Sequence, residues 1–458
     1  MSSEGDSFRK STTRPNPIAS AAGNGFGWRQ ALAKPAEVIC VSRPPVIFWP
    51  GILLVLAAAG SVFAAEPRAQ KAVAIAGQVP GLRGWVESGK QEAFRNFRAH
   101  QTEYAGPGRE DPEPTEVKEV LIGYFGPSDP AHCEGGDLWQ AAQMAIEEAN
   151  SQGGYKGKAF RLVPAWSDSP WSAGVAQIAR IVYREKVWAL VGGIDGPSTH
   201  LAEQVIVKAR LALVSPVSTD KTVNLVNVPW MFSCAPGDHL LAPLLAEALA
   251  QYATGRPFVV LSADDHDSKL LAMELAKLLT GRRLVPARQF VFSAASLDLQ
   301  ELIERTLAPG PRTVVIVASA RPSAALVSAL RRKGFEGAIY GGPSMGRRRF
   351  LHQAGSAAEG VVFPLVCDVQ SLPASFVKAF RMRFGFEPDY AAAQTYDAVR
   401  MLLAAIGKAG LNRARIRDAL HELSPWQGVT GVIAWDPAES NTRRPVLGTI
   451  RQSRVERL

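Results

Sequence analysis

The chain has 458 residues, 47% of them hydrophobic and 20% charged, which is globular composition and excludes a disordered chain. Its formal charge is +9, but the basic residues are spread thinly, with dense runs only at "GRRRF" (346–350) and in the tail beyond Arg443. Neither run is interleaved with aromatics, so both read as solvated faces and no nucleic-acid partner is expected.

In chain order, the first feature is the uncharged run 46–65, "VIFWPGILLVLAAAGSVFAA", preceded by Arg43. It ends in small residues before Glu66, the pattern of a signal-peptide cleavage site, and it is also long enough to serve as an uncleaved anchor. Either way the chain reads as exported: a leader at 1–65, then an extension at 66–116. Within that extension a helix is expected over about 85–104. The Pro- and acid-rich segment "AGPGREDPEPTE" has no apolar periodicity and is expected to be a mobile linker, with the ordered body starting at Val117.

From Val117 strands and helices alternate. "VKEVLIGYFG" is a strand, Leu138, Ala141, Ala142, Ala145 and Ala149 mark a helical face, and "FRLVPAW" is a second strand. Val175, Ile178, Ala179 and Val182 stripe the next helix. "VWALVGG" continues directly into the helix "PSTHLAEQV", and "LALVSP" is the fourth strand. The alternation restarts at "PFVVLSA", with "ARQFVFS", "TVVIVAS" and "AIYGG" separated by helices near 271–278, 297–307 and 322–333. After "GVVFPLV" come helices around 373–384, 391–409 and 413–423, then a late strand pair, "TGVIAWD" and "VLGTIRQ". The fold class implied is α/β: two doubly wound parallel-sheet lobes joined by a hinge that the chain crosses more than once, with a ligand cleft between them.

The glycine turn "VGGIDGPSTH" is the natural place for an anion, because backbone N–H groups at a helix start point outward. Dinucleotide spacing fails, since the first glycine would have to be Val191, and Gly196-Pro197-Ser198 lacks the lysine of a phosphate loop. No enzyme motif appears elsewhere, and no cofactor is called for. His266 in "ADDHDS" looks metal-like, but its acidic neighbours read as helix caps and turn residues, so no metal is expected.

The series "VLIGYFGPSDP", "GGDLWQAAQMAIEEANSQGGYKGKAFRLV", "VGGIDGPSTHLAEQV", "LVSPVSTDKTV", "AEGVVF" and "GVTGVIAWD", in this order, resembles the type I periplasmic solute-binding proteins of the leucine/isoleucine/valine kind. The resemblance runs from about Val117 to Thr449. It implies a leucine-binding-protein-like domain at 117–458, with lobe 1 near 117–236 and 366–434 and lobe 2 near 237–365 and 435–458. It implies a non-catalytic, monomeric, periplasmic or otherwise exported protein that delivers a small carboxylate-bearing ligand, an amino acid or a related compound, to an ABC permease. The alternative is a ligand-sensing receptor module anchored by residues 46–65, although no C-terminal signalling segment appears before Leu458.

By the same resemblance the ligand carboxylate falls to Gly196 and Ser198 in one loop and Ser218 and Thr219 in the next, while each serine taken singly is nearly as readable as a helix cap. The second lobe departs from the family pattern. Ser344 stands where an acidic group for an ammonium is common, and Ala320-Arg321 replaces an aromatic. Arg321 would favour a second anionic group, and Trp139, Trp171 and Asp267 are candidates to replace what is missing. Cys234 and Cys367 fall near lobe crossings, where a disulfide and two buried thiols are both open readings.

Overall fold

The computed structural model describes residues 104–167, 173–224 and 228–458. The apolar run 46–65, Trp171 and all but the last residue of the helix expected near 85–104 lie outside them.

The first lobe is built from β1 (Val120–Phe125), α1 (Gly136–Ser151), β2 (Phe160–Ala165), α2 (Val175–Ala179, running on as a wider π turn over Arg180–Arg184), β3 (Ala189–Gly192), α3 (Gly196–Ala209), β4 (Leu213–Ser215) and β5 (Met231–Ser233). Its strands lie parallel in the order β2-β1-β3-β4-β5. Apolar side chains leave both faces of such a sheet, so both faces must be covered. Leu138, Ala141, Ala142 and Ala145 bury the α1 face against one side, while Ile178 and Val182 pack with Leu201 and Ile206 of α3 on the other. Val175 is exposed, so the apolar face of α2 begins one turn later than the periodicity implied.

The second lobe takes α4 (Asp238–Ala253), β6 (Phe258–Ala263), α5 (His266–Gly281), β7 (Arg288–Phe292), α6 (Leu299–Leu307), β8 (Thr313–Val317), α7 (Ala320–Arg332), β9 (Ala338–Gly341), α8 (Arg348–Ala354) and β10 (Val362–Leu365). The chain then returns to the first lobe with α9 (Ala374–Phe384), α10 (Tyr390–Ala409) and α11 (Arg413–Glu422), where α10 packs against α1. The late strands are not a pair with each other. β11 (Trp426–Gly428) and β12 (Gly431–Ile433) form a separate antiparallel hairpin. β13 (Val446–Arg451) and β14 (Arg454–Arg457) extend the second sheet, whose order is β14-β13-β10-β9-β8-β6-β7, and both run antiparallel to their neighbours.

The chain therefore passes between lobes after β5, after β10 and before β13. The first and third passages are stitched together: Asn441 and Gln394 both donate side-chain amide hydrogens to the Cys234 carbonyl, and Pro236 bridges to Asn441. Cys234 and Cys367 are both free thiols, buried near these passages.

The segment 105–116 is a coil, as its composition implies, but it is tied to the first lobe. Arg109 forms a two-pronged pair with Asp418 of α11 at 2.5 and 3.0 Å. The Asn412 amide donates to the carbonyls of Gly108 and Asp111, and Tyr155 donates to Glu113 at 2.6 Å. These anchors are polar and distant in sequence, so the absence of apolar periodicity carried no sign of them.

Candidate functional site

The glycine turn between β3 and α3 is shaped by backbone constraint. Gly192 has φ of 140°, and a Cβ there would lie 2.3 Å from the Phe125 carbonyl oxygen, so neither conformation nor space admits a side chain. Asp195 then caps α3, its carboxylate accepting from the Ser198 amide at 2.8 Å and from the Ser198 hydroxyl at 2.5 Å. That hydroxyl in turn accepts from the amides of Ile194 and Asp195. The cap leaves the Gly196 N–H facing outward, and it donates across the cleft to the Asp267 carboxylate on α5, at 3.0 and 3.2 Å. Burial pushes the Asp267 carboxyl up to about 7, against the opposing pull of the Gly196 N–H, with Asp195 and Asp220 adding to the rise.

The loop after β4 contributes Thr219 and Asp220. One Asp220 oxygen lies 3.0 Å from His200 Nε2 of α3 and 2.8 Å from His266 Nε2 of the opposite lobe; the other accepts from the backbone and hydroxyl of Thr222. The "ADDHDS" loop thus divides its roles. Asp265 caps α5, accepting from the Ser268 amide at 2.9 Å, whereas His266 and Asp267 both reach across to the first lobe.

A third contact between the lobes comes from the "RRR" run, which is a clasp and not a solvated face. Arg347 is only 8% exposed and pairs with Asp389 of the first lobe at 2.7 Å, with the Glu134 carboxylate at 3.7 Å. Arg348 pairs with Asp137 at 2.8 Å, and Arg349 reaches the His132 carbonyl. Burial alone would raise the Asp389 carboxyl, but the Arg347 guanidinium and the amides at the start of α10 outweigh it and hold it below the usual range. Burial raises the Glu134 carboxyl, with Arg347 and Arg349 opposing.

These contacts enclose a cavity of about 390 Å³ between the lobes. Its wall carries the charged or polar groups Glu134, Asp195, Thr219, Asp265, His266, Asp267, Ser268, Ser319, Ser344 and Arg347, with Leu271, Val317 and Tyr390 among the apolar ones. The helix starts at Gly196, His266 and Ala320 come from both lobes toward it. Such a wall can hold a small molecule that is charged at one end and apolar at the other.

Residues 122–448 match the periplasmic binding protein family. The chain belongs to that family. Among its relatives, an amino acid binding protein of Pseudomonas aeruginosa is 24% identical over 325 residues, covering 70% of this chain and 87% of the relative. A Leu/Ile/Val-binding protein homolog of Brucella suis is 23% identical over 323 residues, covering 69% and 86%. The fold is shared with a branched-chain amino acid transporter substrate-binding protein of Streptococcus pneumoniae solved with isoleucine, at TM-score 0.66 and 22% identity, covering 74% of this chain and 98% of that one. It is shared equally with an R. palustris solute-binding protein solved with benzoate, at TM-score 0.65 and 15% identity, covering 74% and 95%. This periplasmic binding protein thus has the type I fold, with the α/β lobes and the linking passages described above.

The residues expected at the site are only partly brought together. Thr219, Asp267 and Ser344 line the cavity, and Gly196 borders it through its bond to Asp267. The Ser344 hydroxyl donates to the Ala318 carbonyl at 2.5 Å. Ser198 is fully buried in its capping box, and the buried Ser218 hydroxyl accepts from the Asp220 amide at 3.4 Å, so neither is part of the cavity wall. Arg321 lies beside a neighbouring depression that shares Glu134 and Ser319 with the cavity; Arg347 is the cation on the cavity wall. Trp139 packs edge-on against Tyr124 at 5.0 Å. Glu134, Arg347, Asp389 and Tyr390 were missed because their pairing is non-local, with Arg347 42 residues from Asp389 and 213 from Glu134, and the local signal, a run of arginines, usually marks exposed surface.

Proposed function

We propose that this periplasmic binding protein is an exported carrier that captures a small carboxylate-bearing ligand, an amino acid or a related compound, between its lobes and presents it to an ABC permease. The observation that carries this reading is the bond from the Gly196 N–H to a carboxylate 3.0 Å away. The Gly196 amide at the start of α3 is buried in the cleft and is matched to an anion by hydrogen bonding and by the helix dipole. In the closed form described here that anion is the protein's own Asp267, whose carboxyl burial pushes up to about 7 against the pull of the Gly196 N–H.

A ligand carboxylate exchanges with Asp267 at this amide, with Thr219 beside it. The displaced Asp267 and the nearby Glu134 then offer negative charge to an ammonium group, which the residue at Ser344 does not. Ile194, Val217, Leu271 and Tyr390 give an apolar wall for the rest of the molecule. The cavity volume falls within the roughly 300–1,000 Å³ usual for small-molecule sites. Names of relatives and neighbours that bind amino acids, leucine, isoleucine or benzoate support a ligand of this class.

The experiment is a thermal-shift screen of the purified protein with amino acids, their amides, dicarboxylates and aromatic acids, followed by calorimetry on the hits. A carboxylate-bearing hit whose amide fails to bind supports the reading. Equal binding of acid and amide contradicts it.

A further inference from the structure

Three side chains at the rim of the cleft are placed as metal ligands. His200 Nε2, one Asp220 carboxylate oxygen and His266 Nε2 lie within 4.8 Å of one another. The Asp220 oxygen sits between the imidazoles, at 3.0 Å from one and 2.8 Å from the other. The arrangement continues outward: His200 Nδ1 faces the Glu203 carboxylate at 3.0 Å, and the other Glu203 oxygen accepts from the Asn224 amide at 2.8 Å. A carboxylate on the far nitrogen of a ligating histidine fixes its tautomer and orients the ring, and is a recurrent companion of metal-bound imidazole.

The charge balance points the same way. Glu203 faces one imidazole and Asp220 both, and Lys221 is engaged by Glu274 of the opposite lobe. The His266 side chain is 41% exposed, so the cluster is open to ions from solvent, while the Asp220 side chain is fully buried and fixed.

We propose that His200, Asp220 and His266 bind a late first-row divalent cation of the zinc class, and that the bound ion latches the lobes in the closed form. Two imidazoles and one carboxylate favour such an ion over magnesium or calcium, which prefer oxygen ligands. Three protein ligands leave a tetrahedral ion one further position. On binding, His200 releases its Nε2 proton to solvent and keeps Nδ1–H on Glu203. His266 turns an unprotonated Nε2 inward with its proton on Nδ1, and Asp220 remains ionised. His200 and Asp220 belong to the first lobe and His266 to the second, so the complete ligand set exists only when the lobes are together.

The test is calorimetric titration of zinc chloride into chelator-stripped protein, without any organic ligand, with small-angle scattering of the same samples. The expected result is one zinc per chain, weakened at least about tenfold in both His200→Gln and His266→Gln. His352→Gln, on α8, is expected to bind as the unmodified chain does. Zinc should also compact the unmodified chain and leave His266→Gln unchanged. Circular dichroism checks the fold of each variant, and His266, exposed at a helix start, carries the decision if His200→Gln misfolds. Absence of stoichiometric binding, or binding that persists in His266→Gln, overturns the site. Zinc binding without compaction overturns the latch.

Discussion

Asp267 shows how one carboxylate can be both a cleft wall and a pH-dependent element. Its carboxyl is raised from an ordinary 3.8 to about 7 in the closed form, mainly by burial. Between those values the folded chain holds a proton that the unfolded chain has released. Its contribution is therefore most favourable at low pH and declines as the pH rises from about 4 to about 7. Asp267→Asn should remove this decline. Thermal unfolding of the two proteins at several pH values checks it, and curves that differ by a constant offset would assign the effect to another group. Thr219 is the corresponding prediction for binding. If its hydroxyl donates to the ligand carboxylate, Thr219→Ala should lose about 1.5–3 kcal/mol, roughly a ten- to hundredfold rise in Kd by calorimetry. The family resemblance pointed to Gly196, Thr219 and Ser344 and left Asp267 as a candidate substitute, and the structure brings all four to or beside the cavity. Sequence alone could not show that Asp267 would fill the seat itself, because that contact joins two lobes through a loop only the folded chain brings near.

At the scale of elements, most strands were read from their apolar runs, including the three-residue β4 and β12. The three-residue β5 and β11 were not read. The helix α4 was also missed: "LLAPLLAEALA" is apolar nearly all round and contains Pro243, so it offers no clean stripe. β12 and β13 looked like partners because they are consecutive, yet the third passage between the lobes lies between them. The clasp at the start of α8 yields a stability prediction. Arg347→Ala removes the cation from Asp389 while leaving that carboxylate buried, a change that typically costs about 3–5 kcal/mol. The amides of Ala391, Ala392 and Arg348 still reach Asp389, which places the expected loss near the lower end. Urea unfolding measures it, and a loss below about 1 kcal/mol would mean that the clasp adds little to the folded state.

For the whole molecule, strand–helix alternation was enough to read two lobes, but their closure is written in contacts that no local pattern carries: Asp267 on Gly196, His266 on Asp220, Lys221 on Glu274 and the arginines of α8 on α1 and α10. The passages between the lobes are held by amide hydrogen bonds and not by a covalent bridge. Thiol labelling under denaturing, non-reducing conditions should accordingly find Cys133, Cys234 and Cys367 all free; a protected pair would place a covalent bridge in the molecule. The central claim is that a carboxylate belongs at the Gly196 amide, with Asp267 standing in for it when no ligand is bound. Calorimetry with matched pairs, each amino or aromatic acid beside its neutral amide, tests this most directly. The account predicts one acid bound per chain, with its amide at least about tenfold weaker, a difference of about 1.4 kcal/mol. Acid and amide of equal affinity, or a hit that carries no anion, would contradict it.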